Sequence, residues 1–166
     1  APEQVSPLYL QALLHYEDRW FGWHPGVNPL ALARAAWQRA RHGRIVSGGS
    51  TLTMQVARML EPPRAGRGLG AKLRQIGRAL QLEAHLSKRE ILTLYLNHAP
   101  MGGQIAGVEM GAHAYLGKGA LDLSRAEAAL LVALPQTPSR SKPNAITTRV
   151  RPMRSTRAAS FASDPS

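Results

Sequence analysis

Apolar residues recur at helical spacing along most of the chain, and no stretch of convincing length alternates with the two-residue period of a strand. Leu10, Leu13, Leu14 and Glu17 fall at i, i+3, i+4 and i+7, which predicts a helix over 7–20. A turn follows at Gly22-Trp23-His24-Pro25-Gly26. A second helix then starts near Pro29, with Leu30, Ala33 and Trp37 at helical spacing and Arg34, Arg39 and Arg41 elsewhere around it. Glycines mark 42–49 as a loop, and Ser50 reads as the N-cap of a helix from Thr51 to about Leu60. In that helix Leu52, Val56, Met59 and Leu60 share an apolar face, with Thr51, Gln55 and Arg58 opposite.

Pro62-Pro63 stops this helix, and 61–70 reads as a mobile connection. Lys72 to Leu86 predicts a long helix. Ser87-Lys88-Arg89-Glu90 and Ser124-Arg125-Ala126-Glu127 are capping boxes ahead of two more helices, the last closed by Pro135. Between them Gly103, Gly107 and Gly111, four residues apart, predict one helix with a smooth face for close packing. From Gln136 onward prolines, Ser and Thr replace any apolar stripe, and the stretch reads as an irregular or disordered basic tail.

A carboxylate on an apolar stripe narrows the chemistry. Burial disfavours its charge and suits it to general acid or base work, although pairing with a buried cation explains the same pattern. Charge adds a second clue: 21 Lys+Arg, of which 17 are Arg, face 10 Asp+Glu, for a formal net charge of +11. Such an excess favours a polyanionic partner, and the absence of basic runs interleaved with aromatics argues against nucleic acid. Gly48-Gly49-Ser50-Thr51 entering a helix is an anion-site pattern or an ordinary cap. Arg58, Arg67 and Lys72 either converge on a phosphate group there or remain solvated. Cysteine is absent, and the six histidines lack metal-ligand spacing and read as surface or capping residues. No run of 18 apolar residues and no export signal occur, so any anchor is expected to lie outside these residues.

Several segments together resemble one family. Glu17-Asp18-Arg19-Trp20-Phe21-Gly22-Trp23-His24-Pro25-Gly26 resembles the first motif, E-D-x-x-F-x-x-H-x-G, of the peptidoglycan glycosyltransferases of class A penicillin-binding proteins and monofunctional transglycosylases. Gly48 to Gln55 is similar to the second motif, G-G-S-T-[IL]-T-x-Q. Ser87 to Asn97 resembles S-K-x-x-I-L-x-x-Y-L-N, and Glu127 to Leu131 with Leu134 to Ser139 resembles the closing segment. Within the family, Lys72 to Gln75 and Arg78 to Glu83 look most like one branch of the class A proteins.

The resemblance implies a mainly α, lysozyme-like helical fold with head and membrane-facing jaw subdomains around a cleft. It places the glycosyltransferase domain at 1–143 and leaves 144–166 as the tail. It further implies polymerisation of lipid II into glycan strands by an inverting glycosyltransferase at the outer face of the cytoplasmic membrane, with release of undecaprenyl pyrophosphate. Glu17 would be the general base, and Asp18, Ser50, Thr51, Gln55, Arg58, Arg67, Lys72 and Gln75 would bind substrate. The implied partners are lipid II, the nascent glycan chain, an anionic membrane surface and other cell-wall synthesis proteins. No cofactor is required outright; the leaving diphosphate needs charge neutralisation by cations or by a divalent metal such as Mg or Mn.

Departures from the family pattern fall at the site itself. The third motif, R-K-x-x-E, lands on Ala71-Lys72-Leu73-Arg74-Gln75, so its Arg is Ala71 and its Glu is Gln75. Met54 stands where many relatives carry Gln, Arg58 replaces a Lys, and Asn28 replaces an Asp. These changes keep open an alternative in which the domain binds lipid II or glycan without turning it over. A lysozyme-like hydrolase lacks an evident acid partner.

Overall fold

The computed structural model describes residues 1–42, 49–61 and 69–136. The expected tail at 144–166 lies outside them.

Pro7 follows Ser6 at the first helical position, where its fixed φ suits a helix start, and α1 runs Pro7–Glu17. It is three residues shorter than the apolar spacing predicts because Asp18 leaves helical geometry, at φ −158° and ψ 74°. Helix α2 (Pro29–His42) starts where Asn28 Oδ1 accepts the Ala31 N–H at 3.0 Å and so caps the helix. Helix α3 (Leu52–Leu60) is capped by Thr51, whose Oγ1 accepts the Met54 N–H at 3.2 Å, and not by Ser50. Helices α4 (Leu69–His85) and α5 (Lys88–His98) follow.

A two-stranded antiparallel hairpin, β1 (Pro100–Gly102) and β2 (Ile105–Ala106), precedes α6 (Val108–Leu116) and α7 (Arg125–Ala133). This corrects the single glycine-faced helix expected across 103–111. Gly103 turns the hairpin at φ +57°, and Gly107 precedes α6 at φ +89°. Gly111 alone is helical; a Cβ there would lie 2.8 Å from Met101 Cγ. Both predicted capping boxes form, at Ser87/Glu90 and Ser124/Glu127.

The core joins α1, α3, α5, α6 and α7 through Tyr9, Leu13, Leu52, Val56, Ile91, Tyr95, Val108, Ala128 and Leu131, all at most 1% exposed. Each large aliphatic side chain buried there stabilises the fold by roughly 1.5–3 kcal/mol. Helix α1 packs on α7, and α3 packs between α4 and α5. Helix α3 is buried on more than one face, since Thr53, Met54 and Ala57 are covered along with Leu52 and Val56, while Leu60 is half exposed. Among its described side chains helix α2 buries Ala35, and it rests on Gly49, where a Cβ would meet Ala35 Cβ at 3.0 Å. The rest of that neighbourhood is open: Tyr16, Trp20, Trp23, Leu30 and Trp37 are exposed large apolar side chains. Among the described residues no helix is long and apolar enough to cross a membrane.

Candidate active site

Asp18 begins the construction. At 7% exposure it cannot remain charged without partners, and its oxygens accept from His24 Nε2 at 2.9 and 3.1 Å and from the Leu52 N–H at 2.9 Å. The last bond places a carboxylate on an unpaired amide at the start of α3, where the helix dipole favours negative charge. One side chain thereby ties the end of α1 to the start of α3. His24 is buried, contrary to its reading as a surface or capping histidine; its Nε2 faces Asp18, and Nδ1 has no hydrogen-bond partner. His85 and His98 do meet that reading, each bonding a carbonyl of its own helix at 2.9 Å.

A second set of bonds locks the loop between Asp18 and Gly26. Thr51 Oγ1 donates to the Gly26 carbonyl at 2.5 Å while it caps α3. Lys88 Nζ donates to the His24 carbonyl at 2.6 Å and to Glu83 Oε1 at 2.7 Å, and lies 4.6 Å from the centre of the Phe21 ring. Thr53 donates to the same Glu83 oxygen at 2.6 Å. Gly26 sits at φ +80°, and a Cβ there would come within 2.8 Å of the Ala79 carbonyl oxygen and of Glu83 Cγ. The motif glycine is required by both backbone conformation and close approach.

On this frame stand the residues with chemistry to spare. Glu17, the last residue of α1, is half-buried rather than in mid-stripe, and its Oε2 accepts from Gln55 Nε2 at 2.7 Å. Lys72 Nζ, on α4, donates to Ser50 Oγ at 2.5 Å and reaches Gln75 Oε1 at 3.4 Å. Because Thr51 takes the cap, Ser50 is left to meet Lys72. Burial, and secondarily the exposed Arg58 guanidinium, lower the Lys72 pKa below its ordinary value. A cleft of about 720 Å³ opens beside these groups, lined by Glu17, Asp18, Trp20, Trp23, Arg34 and Ser50 among others.

The structure thus brings Glu17 to Gln55, and Ser50 to Lys72 and Gln75, with Arg58 near enough to bias Lys72. It commits Asp18 and Thr51 to the frame, where their polar atoms are already bonded. Arg67 lies outside the described residues. Thr53, Glu83 and Lys88 were not among the predicted site residues; Thr53 and Lys88 lie in the G-G-S-T-[IL]-T-x-Q and S-K-x-x-I-L segments, which was the signal available, and Glu83 reads from sequence as structural. Tyr9 and Tyr95 were missed as well. Both phenols are buried without a hydrogen-bond partner, and desolvation first, then nearby charge including Glu17, raises their pKa values.

The resemblance allowed a divalent cation at the diphosphate. The donor set does not fit one held by the protein: among the described residues no three His, Cys, Asp or Glu side chains converge, and Gln75 offers a neutral amide beside Lys72.

A mainly helical domain that sets Glu17 in a cleft, with Lys72 bonded to Ser50 of its lining, fits a group-transfer enzyme. Sequence comparison places it further: residues 1–160 match the family described as Transglycosylase, and the chain belongs to that family. It is 62% identical over 142 residues to penicillin-binding protein 1C of Escherichia coli strain K12, covering 86% of this chain and 18% of that protein. Penicillin-binding protein 1A of Pseudomonas aeruginosa is 43% identical over 148 residues, covering 89% and 17%. A biosynthetic peptidoglycan transglycosylase of Nitrosospira multiformis is 35% identical over 136 residues, covering 82% and 59%. The chain therefore spans less than a fifth of the two penicillin-binding proteins.

Proposed function

We propose that this domain is a peptidoglycan glycosyltransferase that polymerises lipid II, with Glu17 as general base. The acceptor's 4-hydroxyl oxygen attacks C1 of the donor MurNAc, and its proton passes to Glu17. The bond from C1 to the diphosphate oxygen breaks with its electron pair on that oxygen, releasing undecaprenyl pyrophosphate and inverting the anomeric centre. Diphosphate leaves without an obligatory proton, so one carboxylate suffices. The observation that carries this reading is Glu17 held by Gln55 at 2.7 Å at the edge of a cleft whose Ser50 bonds Lys72. Arg58 and Lys72 supply positive charge for the leaving group.

The surroundings of the cleft support a lipid-linked substrate at the outer face of the cytoplasmic membrane. Leu30, Arg34, Trp37 and Arg41 recur along one face of α2, all exposed, and Trp20 and Trp23 extend that surface to the cleft rim. Arg19 lies 6.0 Å from the Trp20 ring and Arg41 6.0 Å from that of Trp37. Tryptophan beside arginine suits the headgroup level of an anionic bilayer, and association through it weakens with salt. The nascent glycan chain and cell-wall synthesis proteins are the further partners of this reading.

The decisive assay measures lipid II polymerisation by the chain and by Glu17→Gln. Equal background rates would sink the enzymatic reading. Gln75 favours one second reading, a module that binds lipid II or glycan without turnover; analogue binding with no polymer, where a control enzyme is active, would select it.

A further inference from the structure

The chain holds ten Asp and Glu, and their placement bears on how the leaving group is neutralised. Glu3, Glu83, Glu109 and Glu127 pair with Arg89, Lys88, His113 and Lys118. Glu90 closes the cap of α5, Asp122 ends the short turn before α7, and Glu61 follows the far end of α3 at a separate groove against α4. Asp164 lies outside the described residues. Among the described residues, Glu17 and Asp18 are the carboxylates that line the cleft, and Asp18 is bonded to His24 and Leu52. By sequence, 43–48 and 62–68 can add no carboxylate or imidazole; they carry Arg44, Arg64 and Arg67.

Mg²⁺ at phosphates is ordinarily held through one or two carboxylates. Glu17 is the one remaining, and coordination to a metal would lower its basicity toward the acceptor's proton. Gln75, in contrast, accepts from Lys72 at 3.4 Å without carrying charge. A glutamate there would offset much of the Lys72 charge beside it. We propose that this domain neutralises the diphosphate of its lipid-linked donor with Lys72 and Arg58 in place of a protein-held divalent cation, with Gln75 as the neutral neighbour that orients Lys72 and leaves its charge intact. As C1 to oxygen cleavage places negative charge on the diphosphate, these N–H donors take it up. The inference rests on the glycosyl-transfer reading above.

Two readouts test it. Lipid II polymerisation is followed with excess EDTA and with added Mg²⁺ or Mn²⁺, for the wild-type chain, Gln75→Glu and Lys72→Met. Binding of undecaprenyl diphosphate in detergent micelles is measured for the same proteins under the same conditions. The wild-type rate and affinity should differ by no more than about twofold between EDTA and metal, whereas Lys72→Met should lose roughly 10²-fold in rate and bind weakly. Gln75→Glu should bind and turn over less in EDTA and recover with metal. Wild-type binding that collapses in EDTA and returns with Mg²⁺ would overturn the proposal, as would binding indifferent to Lys72. If no protein makes polymer, the glycosyl-transfer reading fails, while metal-independent, Lys72-dependent binding would still uphold the mode of diphosphate recognition.

Discussion

The loop from Asp18 to Gly26 and the polar wall formed by Glu17, Ser50, Gln55, Lys72 and Gln75 use polar residues in opposite ways. In the loop, Asp18 and His24 are buried and bonded to each other, and Lys88 and Glu83 brace the backbone from behind. On the wall, Glu17, Gln55, Lys72 and Gln75 are partly exposed, with Gln55 bonded to Glu17 and Lys72 to Ser50 and Gln75. Motif membership therefore does not distinguish chemistry from architecture. A residue that builds the frame should be felt in unfolding free energy, and one on the wall should be felt in rate.

Glu17→Gln gives the sharpest separation. It should cost about 10³-fold in polymerisation, or ~4 kcal/mol of transition-state stabilisation, yet shift the urea unfolding free energy by less than ~1 kcal/mol. A large loss of stability would break the division. Asp18→Ala should do the converse. It strands the His24 ring N–H and the Leu52 amide in a buried site, and the urea midpoint should report a loss of about 3 kcal/mol. Gly26→Ala should follow at ~2–3 kcal/mol, since φ +80° and the 2.8 Å approach to the Ala79 carbonyl both oppose a Cβ.

The smallest effect is a pH shift on the wall. The Lys72 pKa is lowered, so its ammonium discharges at lower pH than an ordinary lysine. Polymerisation should fall on the alkaline side accordingly. Lys72→Arg holds its charge throughout and should move that limb upward, with a lower plateau because the guanidinium fork cannot repeat the Ser50 and Gln75 contacts. An unmoved limb would remove Lys72 from the ionisation that controls the rate.

Local signals were the legible ones. The two S-x-x-E boxes cap α5 and α7 as read, because capping is decided within four residues. The helical period found α1 and placed Glu17 on it, though Glu17 is its half-buried last residue and not in mid-stripe. Tertiary bonds decided the rest. Adjacent Ser50 and Thr51 are equally good caps by type; the Gly26 carbonyl, 25 residues earlier, decides for Thr51. The four-residue spacing of Gly103, Gly107 and Gly111 could not reveal that two of them take positive φ around a hairpin. The buried pairing of His24 with Asp18 was invisible for the same reason: nothing at six residues' separation announces a loop that folds both inward.

The Asp18 bond to Leu52 closes a separation of 34 positions with a single side chain. Helix α2 lies between these two points, which are fixed to each other without it. Glu17 adjoins the first point and Gln55 lies one turn past the second, so their spacing does not pass through the intervening segment. Lengthening that segment costs only loop-closure entropy, which grows slowly with length. Insertions and exchanges in α2 can adapt the exposed Trp and Arg face to a different surface while the distance from carboxylate to amide stays constant.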